Sequence, residues 1–181
     1  MSGPDIRLAG PEDLAAVTAL TAAAYAPWTA RLGAPPLPVT ADYVPRIAAG
    51  EVWLLAPDGL PDGPPAGLIV LERHDDHLLI FSIAVAPAQQ GSGHGKRLLA
   101  FAEQQARAAG MAEIRLYTNA RMTRNIALYA ACGYRETGRR SNPARPGWTA
   151  VDMAKPLTSA SHPPGAPPSA VPPPGSPQTA P

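Results

Sequence analysis

The chain has 181 residues, 45% of them hydrophobic and 16% charged, with a formal net charge of +1, which fits one ordinary globular domain better than two. So small a net charge gives no general field for holding a phosphate backbone or an anionic bilayer, which counts against nucleic-acid and membrane partners. A single cysteine, Cys132, excludes an intrachain disulfide framework, and with four scattered histidines it makes no zinc-ligand spacing, so no metal site is expected.

At the N-terminus, Met1 to Asp5 carry no basic stretch followed by an apolar one, and no apolar run approaches the roughly 18 residues that span a bilayer. A cytoplasmic protein is the expectation. Ile6 to Leu8 reads as a first strand, and Gly10-Pro11-Glu12-Asp13 as a helix start, with proline in the first turn and acids at the positive dipole end. Leu14, Val17, Leu20 and Ala24 mark one face of that helix. A second helix is expected over Ala41 to Ala49, closed by Gly50. Three β-like runs follow, Glu51 to Ala56, Gly67 to Arg73 and Leu78 to Val85, parted by turn-forming clusters and read as an antiparallel meander.

Helical spacing returns from about Gly93 to Ala109, with Leu98, Leu99, Ala102 and Ala106 inward and Gly110 at the left-handed cap. Glu113 to Thr118 reads as a strand, Asn125 to Cys132 as a helix capped by Gly133, and Tyr134 to Arg139 and Trp148 to Lys155 as two last strands. The class is mixed α/β with a central sheet. Nine of the 24 prolines lie between Thr158 and Pro181, a stretch without Asp, Glu, Lys or Arg. With little to offset the entropy of ordering, residues 158–181 are expected to be a disordered tail after a domain spanning 1–157.

The segment from Val85 to Leu99 runs from a buried strand through a glycine-rich turn into an amphipathic helix. It is not a Walker A loop, because Gln90 and Arg97 stand where glycine and Ser or Thr are required. It is not the dinucleotide pattern either, since Lys96 or Leu98 falls at the third glycine. Gln90, Gly93 and Gly95 do fit Q-x-x-G-x-G. Such a turn presents several backbone N–H groups at a helix start, and its missing Cβ atoms let a pyrophosphate approach the main chain. Gly91, Ser92, His94 and Lys96 belong to the same candidate site, with Lys96 or Arg97 adding charge at the rim and His94 expected to face solvent.

This turn resembles that of the GNAT superfamily of N-acetyltransferases. Tyr117 to Tyr134 is similar to the family's next strand, its Asn-x-x-x-Tyr helix (Asn125, Tyr129) and its Gly-aromatic ending, and Met153 to Leu157 to its last strand. The resemblance implies a mostly antiparallel sheet flanked by helices and splayed between strands 4 and 5, with acetyl-coenzyme A as cosubstrate. It further implies main-chain contacts from Ile83 and Val85, cofactor contacts from Asn125, and Tyr129 as general acid. Asn125 and Tyr129, four apart, share a helix face.

Acyl transfer to an amine needs an oxyanion donor, a proton for the departing thiolate and an outlet for the amine's proton. Where some members of the family place a strand glutamate, Leu78 to Ser82 has no carboxylate, which leaves the base unassigned among Glu72, His74, Asp76 and His77. Tyr25, Trp28, Arg31, Asp42 and Tyr43 fall where the family often builds its acceptor cleft, and Arg139, Arg140 and Arg145 read as a basic loop before the last strand. Cys132 has nothing nearby to activate it. The function expected is direct acetyl transfer to a primary amine of a small molecule, peptide or protein, by a monomer or homodimer. The competing expectation is a noncatalytic acyl-coenzyme A sensor of the same fold.

Overall fold

The computed structural model describes residues 6–60, 63–143 and 145–157, so the expected tail at 158–181 lies outside the described residues. Among them, seven strands form one sheet: β1 (Ile6–Leu8), β2 (Val52–Leu55), β3 (Gly67–Arg73), β4 (His77–Val85), β5 (Glu113–Asn119), β6 (Arg135–Ser141) and β7 (Thr149–Pro156). Their order is β1-β2-β3-β4-β5-β7-β6, and every neighbouring pair is antiparallel except β4 with β5. The mixed α/β class and the meander are as expected.

Both faces of the sheet are covered. Helix α4 (His94–Ala108) buries Leu98, Leu99, Ala102 and Ala106, the four positions read from the helical period, against Ile69, Leu71 and Ile114. Helix α1 (Leu14–Leu32) and α3 (Tyr43–Ala48) cover the other face, where Val17, Leu20, Tyr43 and Ile47 meet Leu68 and Val70. Alternate β3 side chains therefore enter two cores, which is why its sequence is continuously apolar rather than alternating.

Three local expectations are corrected. The helix expected over 41–49 is present as α3 but starts only at Tyr43, and a separate short helix, α2 (Leu37–Thr40), precedes it, because Ala41 is extended and the Asp42 carboxylate accepts the Val44 N–H at 3.0 Å to start a new turn. Helix α5 (Thr123–Ala131) begins ahead of Asn125. Strand β6 reaches Ser141, so Arg139 and Arg140 stand on a strand and not in a loop; Arg139 pairs with Glu136, and Arg140 makes a two-toothed pair with Asp152. Helix α1 also continues through Pro27 and stops only at Gly33, a left-handed residue at φ 74°. That length keeps Ala24, Tyr25 and Trp28 on one helix.

Two irregularities in β4 position the site. Phe81 has no partner on β3, where Val70 faces Ser82 and Leu71 faces Ile80, so it is a bulge that reverses the inward phase of the strand. Leu78 and Ile80 before it, and Ile83 and Val85 after it, all pack on the α4 side. Beyond Ile80, β4 also leaves β5: their parallel ladder covers only His77–Ile80 against Glu113–Leu116. No helix among the described residues is long and apolar enough to cross a membrane.

Candidate active site

The turn after β4 opens with a short 3-10 segment, Pro87–Gln89, and reaches α4 through Gly91 at φ 88° and Gly93 at φ 86°. Both values lie where a Cβ is strained, so glycine is required by the backbone itself. Two side chains brace the turn: Gln90 Nε2 donates to the Val85 carbonyl at 3.2 Å, and Ser92 Oγ donates to the Gln89 carbonyl at 2.5 Å. Gly91, Gly93, Gly95, Lys96 and Gln90 line a cavity of about 490 Å³ together with Val85, Asn125 and Arg124. Lys96 and Arg124 supply its positive charge, and among the described residues no Asp or Glu lines it.

His94 departs from the expectation. Its ring is only 1% exposed rather than facing solvent, because the left-handed Gly93 turns the first helical residue inward. Its Nδ1 lies 3.1 Å from Arg97 Nη1, one helical turn on, and Arg97 also holds Asp58 at 2.8 Å. Arg97 is thereby drawn off the rim, and Ser92 is turned back onto its own loop.

Where β4 and β5 separate, main-chain groups face a gap. The Ala86 N–H donates to the Ala66 carbonyl, so by strand alternation Ala84 and Ser82 turn their polar groups toward β3, while Val85 and Ile83 turn theirs away. The two carbonyls on the open side are occupied, Val85 by Gln90 and Ile83 by the Tyr25 hydroxyl at 3.2 Å. The corresponding N–H groups are the donors that remain. A diphosphate with an amide-containing arm matches this arrangement: cations and glycine amides at one end, free strand donors along the other.

A second cavity, of about 120 Å³, lies on the β5 side of the gap, and Tyr25, Ile83, Asn125 and Tyr129 line both. Its remaining walls include Pro36, Leu37, Phe81, Tyr117, Arg145 and Trp148. The Tyr129 hydroxyl makes no hydrogen bond to the described residues, although the side chain is 5% exposed. Burial pushes the Tyr129 phenol well above its ordinary range and the Tyr25 phenol up to about 12, so both keep their protons at neutral pH.

None of the four base candidates lines either cavity. Glu72 binds Arg46 at 2.6 Å, His77 Nδ1 lies 2.6 Å from Asp76, and the rings of His74 and His77 stack at 4.5 Å. Of the residues assigned to the acceptor cleft, Tyr25 is there and Trp28 lines the larger cavity, with Arg31 over its ring at 5.3 Å. Asp42 caps α3 instead, and Tyr43 is buried with its hydroxyl donating to the Pro38 carbonyl at 2.9 Å. Cys132 lines neither cavity. Arg124, Tyr117 and Trp148 had not been singled out. Arg124 directly precedes Asn125 at the start of α5, a position from which a cation near an anion site could have been inferred.

A sheet with one splayed parallel pair, a glycine turn at its mouth and two cavities meeting at a tyrosine is the architecture of an acyltransferase fold. A sequence model of the acetyltransferase (GNAT) family matches residues 18–134, and the chain belongs to that family. Among solved structures, the ribosomal-protein-S18-alanine N-acetyltransferase of Escherichia coli is similar at 24% identity and a TM-score of 0.66, over 88% of this chain and 97% of that one. A PaiA N-acetyltransferase of Thermoplasma acidophilum, in complex with coenzyme A, has 16% identity and a TM-score of 0.69, over 86% and 100% of the two chains. A GNAT acetyltransferase of Elizabethkingia anophelis with acetyl-coenzyme A bound has 22% identity and a TM-score of 0.56, over 62% and 80%.

Proposed function

We propose that this protein transfers an acetyl group from acetyl-coenzyme A directly to a primary amine, with Tyr129 as general acid. The observation that carries the reading is the wall common to both cavities: Tyr25, Ile83, Asn125 and Tyr129. A donor in the larger cavity and an amine in the smaller one would meet there, beside a protonated phenol that no described group engages. The neighbours solved with coenzyme A or acetyl-coenzyme A support the choice of donor.

Each part of the chain then has a chemical task. The amides of the glycine turn, with Lys96 and Arg124, hold the diphosphate end. The N–H groups of Ile83 and Val85 orient the arm, and Asn125 offers its amide beside Tyr129. The acceptor nitrogen forms the new C–N bond as the thioester C–S bond breaks. Tyr129 gives its O–H proton to the leaving sulfur, and the proton lost by the nitrogen returns to the phenol. No side chain becomes acylated, so the kinetics are sequential.

Calorimetry with coenzyme A and a thiol-release assay over a panel of amines test the reading. Tyr129→Phe is expected to keep coenzyme A affinity and lose about 100-fold in kcat. Wild-type turnover by that variant would remove the general-acid role. Tight coenzyme A binding with no thiol release from small amines, peptides or protein N-termini would identify a noncatalytic sensor instead.

A further inference from the structure

Among the described residues that line the smaller cavity, one carries a charge: Arg145, on the loop between β6 and β7. Its guanidinium is held in place from two sides: Nη1 donates to the Pro35 carbonyl at 2.7 Å, and the group lies 4.7 Å from the centre of the Trp148 ring. Neither neighbour is an anion, and no carboxylate among the described residues pairs with it. The acids that lie near the cavity are committed elsewhere. Asp152, opposite Tyr117, is bound by Arg140, and Glu72 is bound by Arg46, which stacks on Phe81 at 3.7 Å.

A site for amines with a fixed positive charge and no negative one is electrostatically unusual. In water a primary amine is an ammonium ion, and a partly desolvated cation beside an unpaired guanidinium is disfavoured. A carboxylate on the same molecule reverses the balance. It would meet the Nε and Nη2 edge of Arg145, which the Pro35 contact leaves open, in the parallel geometry that guanidinium groups form with carboxylates. The rest of the lining, Tyr117, Trp148, Phe81 and Leu37, suits an apolar or aromatic body.

We propose that the acceptor is a small primary amine that also carries a carboxylate, an amino acid-like zwitterion with an apolar body, and that Arg145 selects it. The proposal rests on the acetyl-transfer reading above and narrows its substrate class. Arg145 is a specificity-determining group; it takes no part in bond making.

The test uses the full chain, two matched pairs that differ only by the carboxylate, L-phenylalanine with 2-phenylethylamine and L-leucine with 3-methylbutylamine, and 1,4-diaminobutane as a dication. The carboxylate-bearing member of each pair is expected to have the higher kcat/KM by roughly 10- to 100-fold, the range of a hydrogen bond between charged groups. Arg145→Gln is expected to bring each ratio to within about threefold, while Arg145→Lys retains most of it.

Preference for the carboxylate-free amine or the diamine would overturn the proposal. So would an Arg145→Gln variant that slows both members of a pair equally, which is what a purely structural clasp between Arg145 and Pro35 would do. A binding arm needs neither cofactor nor turnover: 3-phenylpropanoate is expected to bind the wild type more tightly than 3-phenylpropanamide, and to lose that advantage in Arg145→Gln. If coenzyme A gives no heat and no amine releases thiol, the acetyl-transfer reading fails. If coenzyme A binds, thiol is released and the carboxylate has no effect, only the substrate class falls.

Discussion

Two glycines of the turn are two residues apart and should respond to alanine in opposite ways. Gly93 sits at φ 86° with nothing within 4 Å of an added Cβ, so space is no obstacle and the whole penalty is conformational. A non-glycine residue in the left-handed region costs about 1–2 kcal/mol. Gly95 lies in α4 with a negative φ, and its Cβ would meet Leu128 Cδ2 at 3.5 Å, an ordinary contact. Alanine there gains up to about 1 kcal/mol of helix preference. For Gly93→Ala the penalty divides between two readouts. If the turn keeps its shape, the protein loses stability, lowering Tm by about 2–8 °C for a chain of this size. If the turn relaxes, stability is partly recovered but the N–H groups point elsewhere, and coenzyme A affinity falls by about 5- to 30-fold for the same free energy. Melting curves and calorimetry on both variants measure the two shares, whose sum should be about 1–2 kcal/mol for Gly93→Ala. Gly95→Ala is expected to melt no lower than the wild type, and any loss of coenzyme A affinity there comes from a Cβ placed in the larger cavity that Gly95 lines, not from a changed turn. A Gly93→Ala protein unchanged in both measurements, or a Gly95→Ala protein that melts lower than it, would refute the reasoning.

Lys96→Gln and Arg124→Gln should each raise KM for acetyl-coenzyme A several-fold with kcat little changed, and the difference should shrink in high salt because both groups sit at an open rim. An effect on kcat alone would place them elsewhere in the cycle. The pH dependence of acetylation should follow the acceptor: among the described residues no Asp or Glu lines either cavity, and His94, the one histidine in the lining, has its Nδ1 engaged by Arg97. The logarithm of kcat/KM should therefore rise with a slope of about one up to the amine's own pKa, and an inflection common to amines of different basicity would indicate an enzymic base. At high pH the fold should weaken. Burial raises Tyr25 to about 12, and Tyr129 and Tyr134 also move upward, so unfolded phenols lose protons near pH 10 while folded ones keep them. That contribution is intact below about pH 10 and disappears as pH rises toward about 12. A urea midpoint unchanged between about pH 9 and 11 would contradict it.

The parts of the site that were legible in advance are those written in consecutive residues. Gly91 and Gly93 reveal a turn because no other residue takes their φ cheaply, and Asn125 and Tyr129 fall on one face because of the helical repeat alone. The acceptor side is different. Its walls come from Pro36–Pro38, Ile80–Ile83, Leu116–Asn119 and the loop around Arg145, and no local period brings four such segments together. Arg139 and Arg140 looked like loop residues because an exposed edge strand, paired with the rest of the sheet on one side only, need not be apolar. Carboxylates supply their reason for being there, Glu136 on the same strand for Arg139 and Asp152 across on β7 for Arg140. His94 misled for a related reason: its identity suggests water, and only the hand of the preceding glycine turns it inside.

The bulge at Phe81 and the separation of β4 from β5 reach further than their size suggests. An unpaired strand inside a domain is costly, since its polar groups lose water without gaining partners. Here the cost is contained by side chains that also build the site: Tyr25 takes the Ile83 carbonyl and Gln90 takes the Val85 carbonyl. Because both contributions are donors, they satisfy acceptors and leave donors exposed. The open edge is thus not an indifferent strand waiting for another chain. In the acetyl-transfer reading proposed above, it is a row of N–H groups offered to the donor's carbonyls, bounded at one end by the glycine turn and at the other by Tyr129. The doubly covered β3, with Leu68, Ile69 and Val70 fully buried, keeps that edge from relaxing back into regular pairing. In that reading, substrate geometry is set by the packing of an inner strand that lines neither cavity.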